Sequence, residues 1–292
     1  MPLGLWGQSD TLRIAFTGDI LLDRGVRTVI EKKGIDYLFD PMLDSVFASC
    51  NIVIGNLECP ATKIEAPVNK RFIFRGEPEW LHALKFHGFT HLNMANNHTM
   101  DQGREGLLDT WRNIQKAQMI PLGAGSTADE AEQPFLLAIH PRPIYIYTSL
   151  FAYSENWLYL REKPNVNQLK TSSLATQIIH CRRQHPDAYI IVLLHWGLEH
   201  SLKPTLSQTI TAEQLLKSGA DCIVGHHSHT VQDYGELFEK PVYYNIGNYI
   251  FDQSKPINSQ ALVIRLDITS QNAIHYALPI QIKNCRPSLK KI

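Results

Sequence analysis

The chain has 292 residues, 44% hydrophobic and 19% charged, with Lys plus Arg and Asp plus Glu equal at 28. This is the composition of an ordinary globular protein long enough to bury most of its apolar surface, and it excludes low-complexity, collagen-like and disordered classes. A formal charge of zero without a basic stripe argues against nucleic acid as a partner.

Residues 1–10 lack the basic start and the apolar core of about 7–15 residues that mark a signal peptide. No run approaches the ~20 apolar residues of a membrane span, so no transmembrane segment is expected in this chain. Five cysteines (Cys50, Cys59, Cys181, Cys222 and Cys285) form no Cys-x-x-Cys pair, which suits a reducing compartment. Read as it stands, the chain is expected to be cytoplasmic; a signal ahead of Met1 would make it exported or membrane-associated. Oligomeric state is not legible.

In chain order, the first strand-like run, 12–17, ends in Gly18-Asp19, and the second, 52–55, ends in Asn56-Leu57-Glu58. A helix follows from Pro78 to Gly88, with Trp80, Leu81, Leu84 and Phe86 as its apolar residues. The run 91–95 ends in Asn96-Asn97-His98, and a helix over 104–117 sets Leu107, Leu108, Trp111 and Ile114 on one face. Closely spaced strands are predicted at 135–140 and 143–153. The polar stretch 155–171 reads as a loop over the site or a surface excursion. A helix over 172–183 precedes the run 189–194, which ends in His195-Trp196-Gly197. A helix over 209–218 precedes the run 220–224, which ends in Gly225-His226-His227-Ser228-His229. The last third adds strands at 242–246, 261–267 and 274–282 with almost no helix between, which reads as antiparallel pairing.

Strands alternating with amphipathic helices predict a layered α/β (α+β) fold. With no Gly-, Ser- or Pro-rich linker, residues 1–292 read as one domain with its core over 12–282. Two mixed β-sheets packed face to face with helices outside, a four-layer αββα sandwich, use all these elements.

Five strands thus end in side chains able to hold a metal. Each has a plain alternative: Gly-Asp and Asn-Asn are turn chemistry, a closing His is often structural, and His227 with His229 is either a polar turn or a ligand pair. Together, Asp19, Glu58, Asn97, His195, His227 and His229 offer carboxylate, amide and imidazole donors without thiolate. That mixture favours Mn, Fe or Zn over a structural zinc site or Ca and Mg. A carboxylate such as Glu58 can bridge two cations ~3.5–4 Å apart, so one or two divalent metal ions are expected, and such a centre activates water for hydrolysis.

The order of these motifs resembles the calcineurin-like metallophosphoesterases, and more closely the bacterial capsule-synthesis, CapA-type family (PGA_cap) linked to poly-gamma-glutamate. The resemblance rests on Thr17-Gly18-Asp19 with Arg24, Asn56-Leu57-Glu58, Phe74-Arg75, Ala95-Asn96-Asn97-His98 with Asp101 and Gly103, and Gly123-Ala124-Gly125. It continues through His195-Trp196-Gly197 with Glu199, Gly225 to His229, Gly247-Asn248 and Phe251-Asp252. It implies a double β-sheet sandwich flanked by helices, with Asp19, Glu58 and His229 around one metal and Glu58, Asn97, His195 and His227 around the other. His98, oriented by Asp101, would protonate the leaving group or stabilise the transition state. Arg24 and Arg75 would clamp an anionic substrate, unless they form structural ion pairs. Two departures stand out. The superfamily's opening Asp-x-His reads Asp19-Ile20-Leu21 here, with Asp23 as a candidate replacement, and the bridging aspartate is the longer Glu58. The expected function is a metal-dependent hydrolase of the CapA family, associated with poly-gamma-glutamate capsule biosynthesis and acting on a phosphate ester or related anionic bond, with an anionic small molecule or the polymer as its partner. The alternatives are a non-catalytic accessory protein binding that polymer, and a metal-dependent gamma-glutamyl amide hydrolase.

Overall fold

Ile14, Phe16, Ile52 and Ile54 alternate along two neighbouring strands with Ala15 and Val53, and the two sets enter different apolar cores. A strand apolar on both faces must be covered on both, and this period of two sets the layering. The computed structural model describes residues 11–152 and 158–290. Its first half runs β1 (Leu12–Ile20), α1 (Arg24–Lys33), α2 (Pro41–Ala48), β2 (Ile52–Leu57), α3 (Leu81–Phe86), β3 (His91–Asn93), α4 (Gly103–Lys116), β4 (Ile120–Leu122), β5 (Ala124–Gly125) and α5 (Ala128–Ala131). Then come β6 (Phe135–Ala138), β7 (Ile144–Leu150), β8 (Asn165–Val166), α6 (Thr171–Gln184), β9 (Tyr189–His195), α7 (Leu206–Lys217) and β10 (Cys222–His226). The carboxyl end adds β11 (Tyr234–Leu237), β12 (Lys240–Tyr243), β13 (Asn248–Ile250), β14 (Gln260–Ile268), β15 (Ala273–Lys283) and β16 (Arg286–Leu289).

One sheet has the order β16-β15-β14-β1-β2-β3-β4, with β13 pairing the end of β1. Its β1 to β4 neighbours are parallel and its β14 to β16 neighbours antiparallel. The second sheet, β11-β12-β10-β9-β7-β6, is parallel at its centre and antiparallel at both edges. Ile14, Phe16 and Ile54 of the first meet Ile191, Leu193 and Val224 of the second. Helices α1 to α4 cover the outer face of the first sheet through Val26, Leu43, Leu84 and Leu107. Leu174, Ile178 and Leu215 of α6 and α7 cover Ile190, Val192 and Ile223 of the other. The result is the expected four-layer αββα sandwich.

Local signals fix several boundaries. Asp40 accepts from the Met42 and Leu43 amides and Pro41 opens α2. Thr205 and Gln208 form a capping box, so α7 starts at Leu206 rather than at 209. Of the strands predicted at 242–246, 261–267 and 274–282, the last two pair antiparallel as expected (β14 and β15), whereas the first is β12 in the other sheet, antiparallel to β11 and parallel to β10. Of the stretch 155–171, residues 155–157 lie outside the described residues; Asn165 and Val166 pair with Gly125 and Ala124. Among the described residues, no helix is long and apolar enough to cross a membrane. All five cysteines are free.

Candidate metal centre

β1 and β2 are parallel, as are β9 and β10, and side chains at or just past their carboxyl ends converge. Glycine lets two of them pack. A Cβ on Gly18 would stand 2.0 Å from the Gly247 carbonyl oxygen, and one on Gly225 would stand 2.0 Å from that of Tyr244. Only hydrogen fits, so β1 and β10 press against neighbouring backbone just before Asp19 and His226. Past β10 the chain leaves the sheet with φ of 97° at His227 and 57° at His229. Such left-handed backbone is uncommon outside glycine and clusters at functional sites. It turns both imidazoles toward Asp19 and Glu58.

Two donor groups share Glu58. In one, His195 Nε2 lies 2.8 Å from Asn97 Oδ1, 3.2 Å from His227 Nδ1 and 3.7 Å from Glu58 Oε1. In the other, His229 Nδ1 lies 3.4 Å from Asp19 Oδ2, and its Nε2 lies 3.8 Å from Glu58 Oε1. Asp19, Glu58 and His195 are fully buried, His227 and His229 nearly so. Both Glu58 oxygens are buried without a hydrogen-bond donor. A carboxylate left so is costly unless a cation meets it, and buried charges in proteins are paired or bind metals. The donor set therefore fits divalent ions.

Electrostatics point the same way. Burial, then the neighbouring charge of Asp19, pushes the Glu58 carboxyl well above its ordinary range. Burial would raise Asp19 too, but the bond from His229 and the charge of His226 outweigh it and hold it below. Burial, helped by His227, holds His195 well below its ordinary value, and burial with His229 pushes His227 down to about 3. These imidazoles are neutral at physiological pH, the form that binds metal.

A layer of amides orients the donors. Asn56 Nδ2 donates to Asp19 Oδ1 at 2.8 Å, while its Oδ1 accepts from Asn93 at 2.9 Å and Asn96 at 3.3 Å. Asn248 Oδ1 lies 2.9 Å from His229 Nδ1. Such partners set ring orientation and tautomer. His226 is not in either group; its Nε2 lies 3.2 Å from the Thr17 carbonyl oxygen, linking the two sheets beneath the site.

His98 stands beside the donors with Nδ1 donating to Asp101 Oδ2 at 2.8 Å and its ring stacked on Phe74 at 4.1 Å. Burial lowers its pKa, and the Asp101 bond opposes that fall. Arg24 lies over the Phe74 and Phe251 rings and pairs with Asp252. Since Phe74 touches His98 and Phe251 touches His229, the guanidinium sits at the rim of the site. Arg75 is not brought there. Its guanidinium bonds Glu65, Glu77 and the Thr62 carbonyl. Asp23 does not replace the missing histidine, because its oxygens take Arg27 and the Arg75 amide. Leu21 is buried in the core under α1.

Sequence reasoning missed Lys70, whose ammonium bonds Asp101 Oδ1 at 2.7 Å. A lone lysine in a polar loop gives no signal of that kind. The orienting amides could have been found, since Asn56 and Asn248 follow apolar or glycine-containing runs as the donors do.

The family described as Bacterial capsule synthesis protein PGA_cap matches residues 13–253. The PGA biosynthesis protein CapA of Bacillus subtilis (strain 168) is 28% identical over 283 residues, 96% of this chain and 74% of that protein. The capsule biosynthesis protein CapA of Bacillus anthracis is 26% identical over 287 residues, 96% of this chain and 70% of that protein. Among solved structures, the NAD nucleotidase NadN of Haemophilus influenzae superposes with a TM-score of 0.52 at 13% identity, covering 96% of this chain and 52% of that one. This last likeness concerns the fold alone. With the family match spanning the donor residues from Asp19 to His229, the chain belongs to the bacterial capsule synthesis PGA_cap family.

Proposed function

We propose that this protein is a divalent-metal-dependent hydrolase acting on an anionic substrate in poly-gamma-glutamate capsule biosynthesis. The observation that carries the reading is Glu58: fully buried, without a hydrogen-bond donor, and shared by two groups of donors. Asn97, His195 and His227 with Glu58 would hold one ion, Asp19 and His229 with Glu58 the other. Mn, Fe or Zn suits oxygen donors mixed with imidazole. When bound, such ions act as Lewis acids and make water nucleophilic near neutral pH. The rest of the chemistry belongs to side chains. His98, with Nδ1 tied to Asp101, has Nε2 left to pass a proton to the leaving group. Arg24 at the rim, preorganised by two aromatic rings and Asp252, reads a phosphate or carboxylate in bidentate fashion. Arg75 is left out of this role because glutamates occupy it.

One observation favours a second reading. Leu21, at the position where the metallophosphoesterase resemblance implies a histidine donor, is buried in the apolar core instead, leaving Asp19, Glu58 and His229 as that group. If that position holds no ion, the protein is a polymer-binding accessory, or cleaves only a gamma-glutamyl amide through the other. Metal analysis, then assays of p-nitrophenyl phosphate, its diester and oligo-gamma-glutamate with Mn added back, separate these outcomes. Absence of bound transition metal and of turnover under every metal refutes the hydrolase. Saturable oligo-gamma-glutamate binding without cleavage establishes the accessory role.

A further inference from the structure

The wall beside His98 hangs on one buried carboxylate. Asp101 Oδ1 accepts from Lys70 Nζ at 2.7 Å, and Oδ2 accepts from His98 Nδ1 and the Phe74 amide, each at 2.8 Å. The Asp101 carbonyl accepts from the Val68 amide at 3.0 Å. Lys70, with a side chain only 6% exposed, gives a second proton to the Asn97 carbonyl at 2.8 Å. It belongs to the irregular segment 62–75, whose neck is closed by the bridge between Ala61 and Gly76. That segment has no sheet or helix to set its course, so side-chain bonds to the 97–102 turn set it.

A buried ammonium is costly unless paired, and counter-charge for Asp101 is the simplest role for Lys70. The bond to the Asn97 carbonyl goes further. Asp101 does not need it, and it places Lys70 on the backbone of the residue whose amide oxygen faces His195. We propose that Lys70 is a positioning residue: it ties the Asn97 backbone to Asp101, and so fixes the Asn97 oxygen toward His195 while locking segment 62–75 beside His98. The proposal rests on the reading of Asn97 as a ligand.

Manganese titration of the metal-free full chain, followed by calorimetry and electron paramagnetic resonance, tests it alongside thermal unfolding. Removing a partner that orients ligands costs about 10–100-fold in metal affinity, and Lys70→Met should show a loss of that size. Asp101→Asn alone keeps the Lys70 bond to Asn97 and should lose less than Lys70→Met. The double variant Lys70→Met/Asp101→Asn removes the lone buried charge, so it should regain the melting temperature but not the affinity. It carries the test if Lys70→Met fails to fold. Unchanged affinity in Lys70→Met overturns the proposal, as does recovery of affinity in the double variant or an equal loss in Asp101→Asn. A wild-type chain that binds no manganese, zinc or iron refutes the metal site itself and this proposal with it. Normal wild-type binding with an indifferent Lys70→Met refutes the positioning role alone.

Discussion

Glu58→Gln tests the metal centre most directly, because it keeps the shape of a buried side chain while removing its charge. In the metal-free protein Glu58 has no hydrogen-bond donor on either oxygen. It contributes nothing there to offset its burial, and the amide should be tolerated or stabilising. With metal the sign reverses. A ligand at about 100 times its dissociation constant stabilises the folded state by about 2.7 kcal/mol. At ~2.1 cal/mol/K per residue, 292 residues unfold with an entropy of about 0.6 kcal/mol/K, so the wild type should gain about 4 °C. Because Glu58 belongs to both donor groups, Glu58→Gln should lose most of that gain at either position. The assay is thermal unfolding of both proteins, metal-free and with Mn or Zn. An undiminished metal response in Glu58→Gln would refute the argument. So would a metal-free variant several degrees less stable than wild type, which would mean the carboxylate has partners in the fold.

Three further outcomes are expected. His98→Asn should lower kcat on a phosphate ester by about 10²–10⁴-fold with metal content unchanged, as for loss of a proton donor; loss of metal instead would place His98 among the ligands. Arg24→Ala should raise KM for an anionic substrate about tenfold, and Arg24→Lys should recover little of it, because a lysine cannot reproduce the bidentate, ring-stacked fork; steady-state kinetics decide. His91, away from the donors, is pushed down to about 4 by burial, whereas the unfolded chain titrates near ~6.5. The unfolded state therefore takes the proton first on acidification. Stability from the neutral ring is complete above about pH 6.5 and is lost between there and about pH 4, roughly 2 kcal/mol by pH 5. Denaturant unfolding of wild type against His91→Gln should show that difference, and parallel pH profiles would refute it.

Much of this was legible in the sequence because the donors stand at the ends of apolar runs. Short continuous apolar, β-branched runs reveal buried strands, and a parallel strand delivers its last residue to the sheet's carboxyl edge, so Asp19, Glu58, His195 and the histidine turn could be read locally. Arg75 could not. Its surroundings depend on Glu65 and Glu77 folding back onto it, which no local pattern encodes. Asp23 likewise stood close enough in sequence to replace the missing histidine, yet α1 and the Arg75 backbone claim its oxygens. Lys70 was silent for the same reason, since its three contacts all lie on the turn after β3.

The two sheets divide the chemistry between them. Asp19, Glu58 and Asn97 stand at or past the ends of strands of the first sheet and bring oxygen; His195, His227 and His229 stand at or past the ends of strands of the second and bring nitrogen. Neither sheet alone has a mixed donor set. The centre exists only because Ile14, Phe16, Ile191 and Val224 bury against one another and hold the carboxyl edges in register. His226 against the Thr17 carbonyl and the His227 amide on Asp19 Oδ2, at 3.2 and 3.3 Å, are polar links across that seam. A metal ion bound here would bond both sheets at once, so its binding energy would add to the packing between them. The apolar seam and the polar site then stabilise the same interface, and weakening the seam should weaken metal binding even where no donor is touched.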